Sequence, residues 1–420
     1  MQQLVGKTLS SGMASGKIIV FNSEFKLQAL LNEKAPIIIV AKDLTPKDTI
    51  QFKKVNVVAF VVEYGTQNSH VAILARTMGR PALTGIQIDA AWNGCSAIID
   101  GETGRMIIEP NKEQASDYQR QKKAKAQSEK ELKESLAGKR TETQSGKQIS
   151  LLANISTPAD IQSVLDYDAE GIGNFKTEFM LLDRTHFPNE QEQFEIYKHI
   201  ACTMGNHRVV IRTFDIGADK TPEYVKHIDE DNPTLGYRAI RICLDYPEIF
   251  VPQIRAILRA SAFGNVAIMY PFIISVDEVR KIKEIVHRIM VDLKKQSIPF
   301  NENIEQGIMI ETPAAVIMSR ELAEMVDFFS IGTNDLTQYM LAIDRNNPHL
   351  NRFNNIYHPA ILRSIEYVVK NAHEANIWVS ISGELGSDES MTELFLSYGL
   401  DALTVSPNRI LNLRKRIRDL

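Results

Sequence analysis

From about residue 147 onward, short apolar runs recur along the chain. They fall at 149–155, 171–175, 209–213, 266–270, 307–310, 328–331, 379–381 and 403–405. Each is followed by a polar or small-residue turn and then by a stretch with helical periodicity. This alternation predicts parallel βα units, and about eight of them in succession are what a (β/α)8 TIM barrel requires. An open doubly wound sheet is built from the same units. The barrel is preferred because the chemically active side chains come directly after the strand candidates, where the loops of a barrel's C-terminal face stand. Before residue 110 the pattern is different. β-branched runs at 17–21, 35–41, 55–62 and 96–100 are separated by Gly, Pro and Asn/Asp breakers, and helical periodicity is confined to short stretches such as 69–76. That part reads as a compact β/α domain.

Between the two zones the apolar signal almost vanishes. Residues 111–140 hold nine Lys/Arg and five Asp/Glu at helical spacing, which predicts a solvated helix or helical hairpin acting as a spacer. A nucleic-acid arm is the weaker reading, since the single aromatic, Tyr118, offers little for bases to stack on. The expected division is therefore a domain at 1–110, a charged helical linker at 111–146 and a barrel at 147–420. The 420-residue length suits more than one core. A net charge of −4 argues against a general polyanion binder, though not against a local basic pocket, so nucleic acid is not an expected partner. Cys95, Cys202 and Cys243 are too far apart for a zinc motif or a disulfide framework and fit a reducing compartment. There is no apolar run of the roughly 20 residues that a membrane span needs, and the first residues show no signal-peptide pattern. The expectation is a soluble cytoplasmic protein with no membrane partner.

The residues after the barrel strands share a chemistry. Lys176 and Glu178 follow the second strand, Arg212 and Asp215 the third, and Glu311 the fifth. Asn334 and Asp335 follow the sixth, with Arg345 ten residues on, and Ser382 and Glu384 end the seventh. Glu311 and Asp335 are hard oxygen donors suited to a Mg²⁺ that borrows the rest of its shell from water and substrate. Lys176, Arg212, Arg345, Arg238 and Lys220 offer positive charge and forked donors for phosphate and carboxylate. Such a pocket suits a small polyanion bridging a divalent metal. In the first domain, His70 follows a strand and a polar turn and stands in the first turn of a helix, with Asn68 or Ser69 as the cap. Backbone N–H groups and the helix dipole there favour an anion, and neutral imidazole is a competent nucleophile.

Residues 65–76, GTQNSHVAILAR, with Arg80-Pro-Ala-Leu83, resemble the phosphohistidine motif of phosphoenolpyruvate (PEP)-utilising enzymes. The second half is similar to Enzyme I of the bacterial phosphotransferase system. The likeness is carried by Thr177-Glu-Phe179, 210–213, 232–241, 255–263, Glu311-Thr-Pro-Ala-Ala315, 327–339 and Ser382-Gly-Glu-Leu385. The resemblance implies a swivelling phosphohistidine domain, a helical linker and a PEP-binding barrel. It implies Glu311 and Asp335 as Mg²⁺ ligands, Lys176, Arg212, Arg238, Asn334 and Arg345 on the substrate, and His70 as the residue phosphorylated. It also implies a histidine phosphocarrier protein or a small molecule as acceptor, and a homodimer through the barrel.

Several positions depart from the family pattern. Lys176 stands where the family has arginine, which keeps the charge but loses the planar fork. Ser382 stands where the family has the cysteine that protonates enolpyruvate. Gln67 and Asn68 replace the usual Arg and Thr. Residues 22–36 are too few for the family's phosphocarrier-binding helical subdomain. Two functions follow as expectations. One is a Mg²⁺-dependent phosphotransferase passing phosphate from PEP to His70 and onward. The alternative is a catalytically weak paralogue that binds PEP or pyruvate and acts as a regulator.

Overall fold

In the computed structural model, residues 2–21, 35–44, 52, 55–65, 69–181, 186–217, 230–345 and 347–420 are described. The chain forms two compact units, Met1–Glu131 and Leu132–Leu420.

The first unit is built on an eight-stranded sheet. Its strands are β1 (Gln2–Val5), β2 (Lys7–Ser10), β3 (Met13–Phe21), β4 (Ile37–Ala41), β5 (Val57–Val62), β6 (Ala82–Thr84), β7 (Ser96–Asp100) and β8 (Arg105–Ile108), in the order β1-β8-β7-β3-β4-β5-β6-β2. β3, β4, β5 and β6 are parallel, and the outer pairs are antiparallel. The continuous β-branched runs have a simple cause: both faces of the central strands are covered. Ile37, Ile39, Phe60 and Val62 face one core, closed by Val71, Ala72 and Ala75 of α1 (His70–Thr77). Ile38, Val40, Ala59 and Val61 face the other, with Trp92, Ile99 and Met106. Only residues 22–36 join β3 to β4.

The charged stretch forms one helix, α2 (Lys112–Leu136), and not a hairpin. Most of it is exposed, Tyr118 being a buried exception, and Lys125 pairs with Glu102 within the first unit.

The second unit is a closed barrel of eight parallel strands. These are β9 (Ser150–Ile155), β10 (Gly171–Lys176), β11 (Arg208–Arg212), β12 (Val266–Tyr270), β13 (Gln306–Ile310), β14 (Phe328–Gly332), β15 (Trp378–Ser382) and β16 (Ala402–Val405). The eight predicted runs coincide with these strands to within about one residue at each end. The period-two alternation sorts their side chains. Val209, Ile211, Ile268, Ile308, Ile310, Phe329, Ile331 and Ile381 belong to the main core shared with the helices. The intervening Val210, Ala267, Met269, Met309 and Phe328 form a separate apolar cluster. Its floor is a stack of Phe328 on Trp378 (centroids 4.3 Å apart, 12° between planes), with the Arg208 guanidinium 4.3 Å from the Trp378 ring. Arg208, Phe328 and Trp378 each open their strand, so the floor lies at the strands' N-terminal ends. Continued toward the C-terminal ends, the same alternation places Arg212, Glu311 and Ser382 at the mouth, all three buried. No described helix is long and apolar enough to cross a membrane.

Candidate active site

Register brings the predicted side chains level. Lys176, the half-buried last residue of β10, is the partner of Arg212 on β11, and Ser382 on β15 lies between Gly332 and Thr404 of its neighbours. Asn334 and Asp335 fall in the first turn of α3 (Thr333–Met340), directly after β14.

Guanidinium groups and carboxylates alternate around the mouth. Arg212 Nη2 bonds Glu178 Oε1 and lies 3.4 Å from Asp215 Oδ2. Arg238 Nη2 donates to both Asp215 oxygens, at 2.9 and 3.1 Å, and its Nη1 stands 3.4 Å from Asp335 Oδ1. Arg345 Nη1 reaches Asp335 Oδ2 at 3.3 Å. Five of the expected residues, Arg212, Arg238, Arg345, Glu311 and Asp335, thus share one electrostatic network. Asn334 sits at its edge, its Oδ1 accepting the Glu384 N–H at 3.1 Å. Ser382 Oγ donates to the Ile331 carbonyl at 3.3 Å. Lys220, Gln67 and Asn68 lie outside the described residues. His70 is in the other unit, where it is the first residue of α1.

The electrostatics are those of a site built for a charged ligand. Burial, together with the facing Asp335 and Asp215, pushes the Glu311 carboxyl up to about 7 despite the pull of Arg212 and Arg238. Burial opposes the Arg212 charge, but Glu178, Asp215, Glu311 and Asp335 outweigh it and hold its pKa above the ordinary arginine value. Arg212 Nε is buried without a hydrogen-bond partner among the described residues. Among the described residues no group of three or more His, Cys, Asp or Glu is arranged to hold a metal alone. Two carboxylates suit an ion that completes its shell from substrate and water, and Gly332 keeps space beside Glu311, since a Cβ there would stand 3.0 Å from Oε2. The donor set fits Mg²⁺.

Sequence reasoning left three contributors without a role. Asp215 and Glu178 were visible after their strands, but their role as anchors of Arg238 and Arg212 needs the fold. Phe272 gave no signal at all. It is held at φ 63°, a strained conformation for a bulky residue, and its N–H donates to Glu311 Oε1 at 2.7 Å. Its ring lies 4.7 Å from the Arg238 guanidinium and 4.9 Å from that of Arg241, with Tyr339 edge-on at 5.8 Å. Tyr339 Oη accepts from Arg238 Nη1 at 3.0 Å. One strained residue therefore fixes both a carboxylate and a cation of the mouth.

Family comparison matches residues 130–420 to the PEP-binding domain of PEP-utilising enzymes and residues 33–104 to their mobile domain. Among curated proteins, a phosphoenolpyruvate-protein phosphotransferase of Buchnera aphidicola is 42% identical over 395 residues, covering 94% of this chain and 68% of that protein. One from Staphylococcus carnosus is 40% identical over 386 residues, covering 91% and 67%. This chain belongs to the PEP-utilising enzyme family, as an Enzyme I-like member whose β3–β4 connection has no room for the helical subdomain.

Proposed function

We propose that this protein transfers the phosphoryl group of PEP to His70 and from there to an acceptor. The observation that carries the reading is the network of Arg212, Arg238, Arg345, Glu311 and Asp335 at the barrel mouth, in a chain about 40% identical to proteins named for this reaction.

Arg212 and Arg345 grip phosphate and carboxylate, Arg238 closes the cationic wall, and Asn334 and Lys176 add donors at the rim. Glu311 and Asp335 would hold Mg²⁺, which supplies charge neutralisation on the phosphoryl oxygens. Movement of the first unit brings His70 to the mouth, consistent with its match to a mobile domain. A neutral imidazole nitrogen forms the N–P bond as the bond from phosphorus to the enol oxygen breaks. The enolate then takes a proton at carbon to give pyruvate. Phosphohistidine next passes its phosphoryl group to a histidine phosphocarrier protein or to a small molecule. A cytoplasmic setting and a homodimer through the barrel belong to the same reading, and sedimentation analysis tests the latter. A regulator without turnover is not favoured, because the five charged residues of the mouth are all present, four of them linked by ion pairs through Asp215, and Glu311 within their electrostatic reach.

Intact-mass spectrometry after incubation with PEP and Mg²⁺ tests the proposal. The expected result is an acid-labile gain of one phosphoryl group that is absent in His70→Ala and abolished by EDTA. No adduct at saturating PEP overturns it.

A further inference from the structure

The first unit holds a second charged site that the proposed reaction does not use. A cleft of about 210 Å³ is bordered by Gly12, Ser15, Pro36, Arg80, Pro81 and Lys122, among others. Its two charged lining residues, Arg80 and Lys122, are both cations. Arg80 Nε is buried and has no hydrogen-bond partner among the described residues. That nitrogen is enclosed by protein, but Arg80 and Lys122 line a cleft with no carboxylate in its lining, and an anion there would balance their charge.

The walls are set by backbone. The Arg80 N–H donates to the Ala75 carbonyl at 2.8 Å where α1 ends, and the Gly101 N–H donates to the Gly12 carbonyl at 2.7 Å. Gly12 is at φ 117°, a conformation open to glycine, and a Cβ there would already touch Pro81. The cleft is distinct from the His70 position. Pro36 and Pro81 precede β4 and β6, whereas His70 follows the C-terminal end of β5 and opens α1, whose far end leads to Arg80. The two places are on opposite edges of the parallel strands, separated by a helix about 12 Å long.

We infer that this cleft binds a small phosphorylated anion, inorganic phosphate or a phosphomonoester of a few carbons. Arg80 provides the fork and Lys122 the second charge. A volume of about 210 Å³ is enough for such an anion. Lys122 is on α2, so an anion held here ties that helix to the β-domain and gives a small metabolite a hold on the charged linker.

The test titrates the full-length protein with inorganic phosphate and with glycerol 3-phosphate, following the amide resonances of Gly12 and Gly79. Saturable shifts in the millimolar range are expected, with the dissociation constant raised roughly tenfold by Arg80→Gln and about threefold by Lys122→Gln. Both variants should accept phosphate from PEP at the wild-type rate, which separates this site from the barrel. Lys122 is at an exposed helix position, so folding of its variant is not at issue. Absence of saturable shifts at Gly12 and Gly79, or affinity unchanged in Lys122→Gln, overturns the inference. Preference for glycerol 3-phosphate over inorganic phosphate assigns the site to a phosphomonoester, and the reverse assigns it to free phosphate.

Discussion

In the proposed reaction, Ser382 is the residue on which turnover should depend most directly. It is buried at the end of β15, and its hydroxyl is committed to the Ile331 carbonyl. A hydroxyl is a far weaker acid than a thiol of pKa ~8.5, so protonation of the enolate is left to slower donors. Ser382→Cys should therefore speed pyruvate release by roughly tenfold or more while leaving phosphorylation of His70 unchanged, general acid catalysis being worth about 10²–10⁴. Stopped-flow measurement of pyruvate alongside the phosphoprotein signal checks both halves, and equal rates in the two proteins exclude Ser382 as the limiting group. The next residue makes the opposite point. Gly383 is at φ 107°, and a Cβ there would stand 2.3 Å from Thr333 Oγ1 and 2.8 Å from Asn334 Oδ1. Gly383→Ala should cost about 2 kcal/mol of barrel stability through strain and crowding. It should also raise KM for PEP by displacing Asn334 from the Glu384 N–H, read from a thermal melt and a PEP titration. Charged residues directly after strands were legible because position and chemistry both appear in the one-dimensional pattern. Phe272 and Tyr339 were not, because an aromatic under a guanidinium looks like any core aromatic until the chain is folded.

Among the elements, legibility follows length and regularity. The barrel strands carry apolar residues, mostly β-branched, on the helix-facing side, and polar or small-residue turns separate them, so all eight could be read. β1, β2, β6 and β8 span only three or four residues each, too short for a period to declare itself, and were not anticipated. The spacer stretch left open a choice between one helix and a hairpin, and α2 resolves it as one helix. Least visible was the joint beneath the barrel. Arg414, 1% exposed on the last helix (Ile410–Asp419), bonds Thr141 Oγ1 at 3.0 Å and Asp168 Oδ2 at 2.6 Å. It also reaches the Asp168 carbonyl and lies 3.8 Å from Glu170. Asp168 and Glu170 precede β10, so this network is at the N-terminal face, where barrels keep stability and not chemistry. Asp168 and Glu170 are partly solvated and lose less than fully buried carboxylates would. Arg414→Ala is thus expected to cost about 2–3 kcal/mol, at the low end for breaking a buried pair. Denaturant melts should show that loss, and kcat per folded molecule should be unchanged.

At the scale of the whole molecule, the governing fact is that each unit owns its core. The sheet of the first unit is closed by two clusters of its own, and the barrel by a third that includes its surrounding helices. The mouth network is drawn from residues 178–345, wholly within the second unit, while His70 is in the first. Unfolding should accordingly proceed in two calorimetric transitions and not one, as for units that each satisfy the two-state condition separately. Ligand linkage then assigns them. A ligand that binds only the native barrel stabilises it by RT ln(1 + [L]/Kd), about 2.7 kcal/mol at a hundredfold excess over Kd. For a unit of this size that is a shift of roughly 4–5 °C. With His70→Ala, which removes the proposed phosphoryl acceptor, PEP plus Mg²⁺ should raise one transition by this amount and leave the other in place. PEP without Mg²⁺ should do much less if Glu311 and Asp335 need the cation to accept a phosphate. Inorganic phosphate at the Arg80 cleft should act on the other transition, that of the first unit, and Arg80→Gln should remove the effect. A single transition that moves as one under either ligand would mean that the two cores are energetically one, and the separation of donor site from carrier histidine would then need a different physical basis.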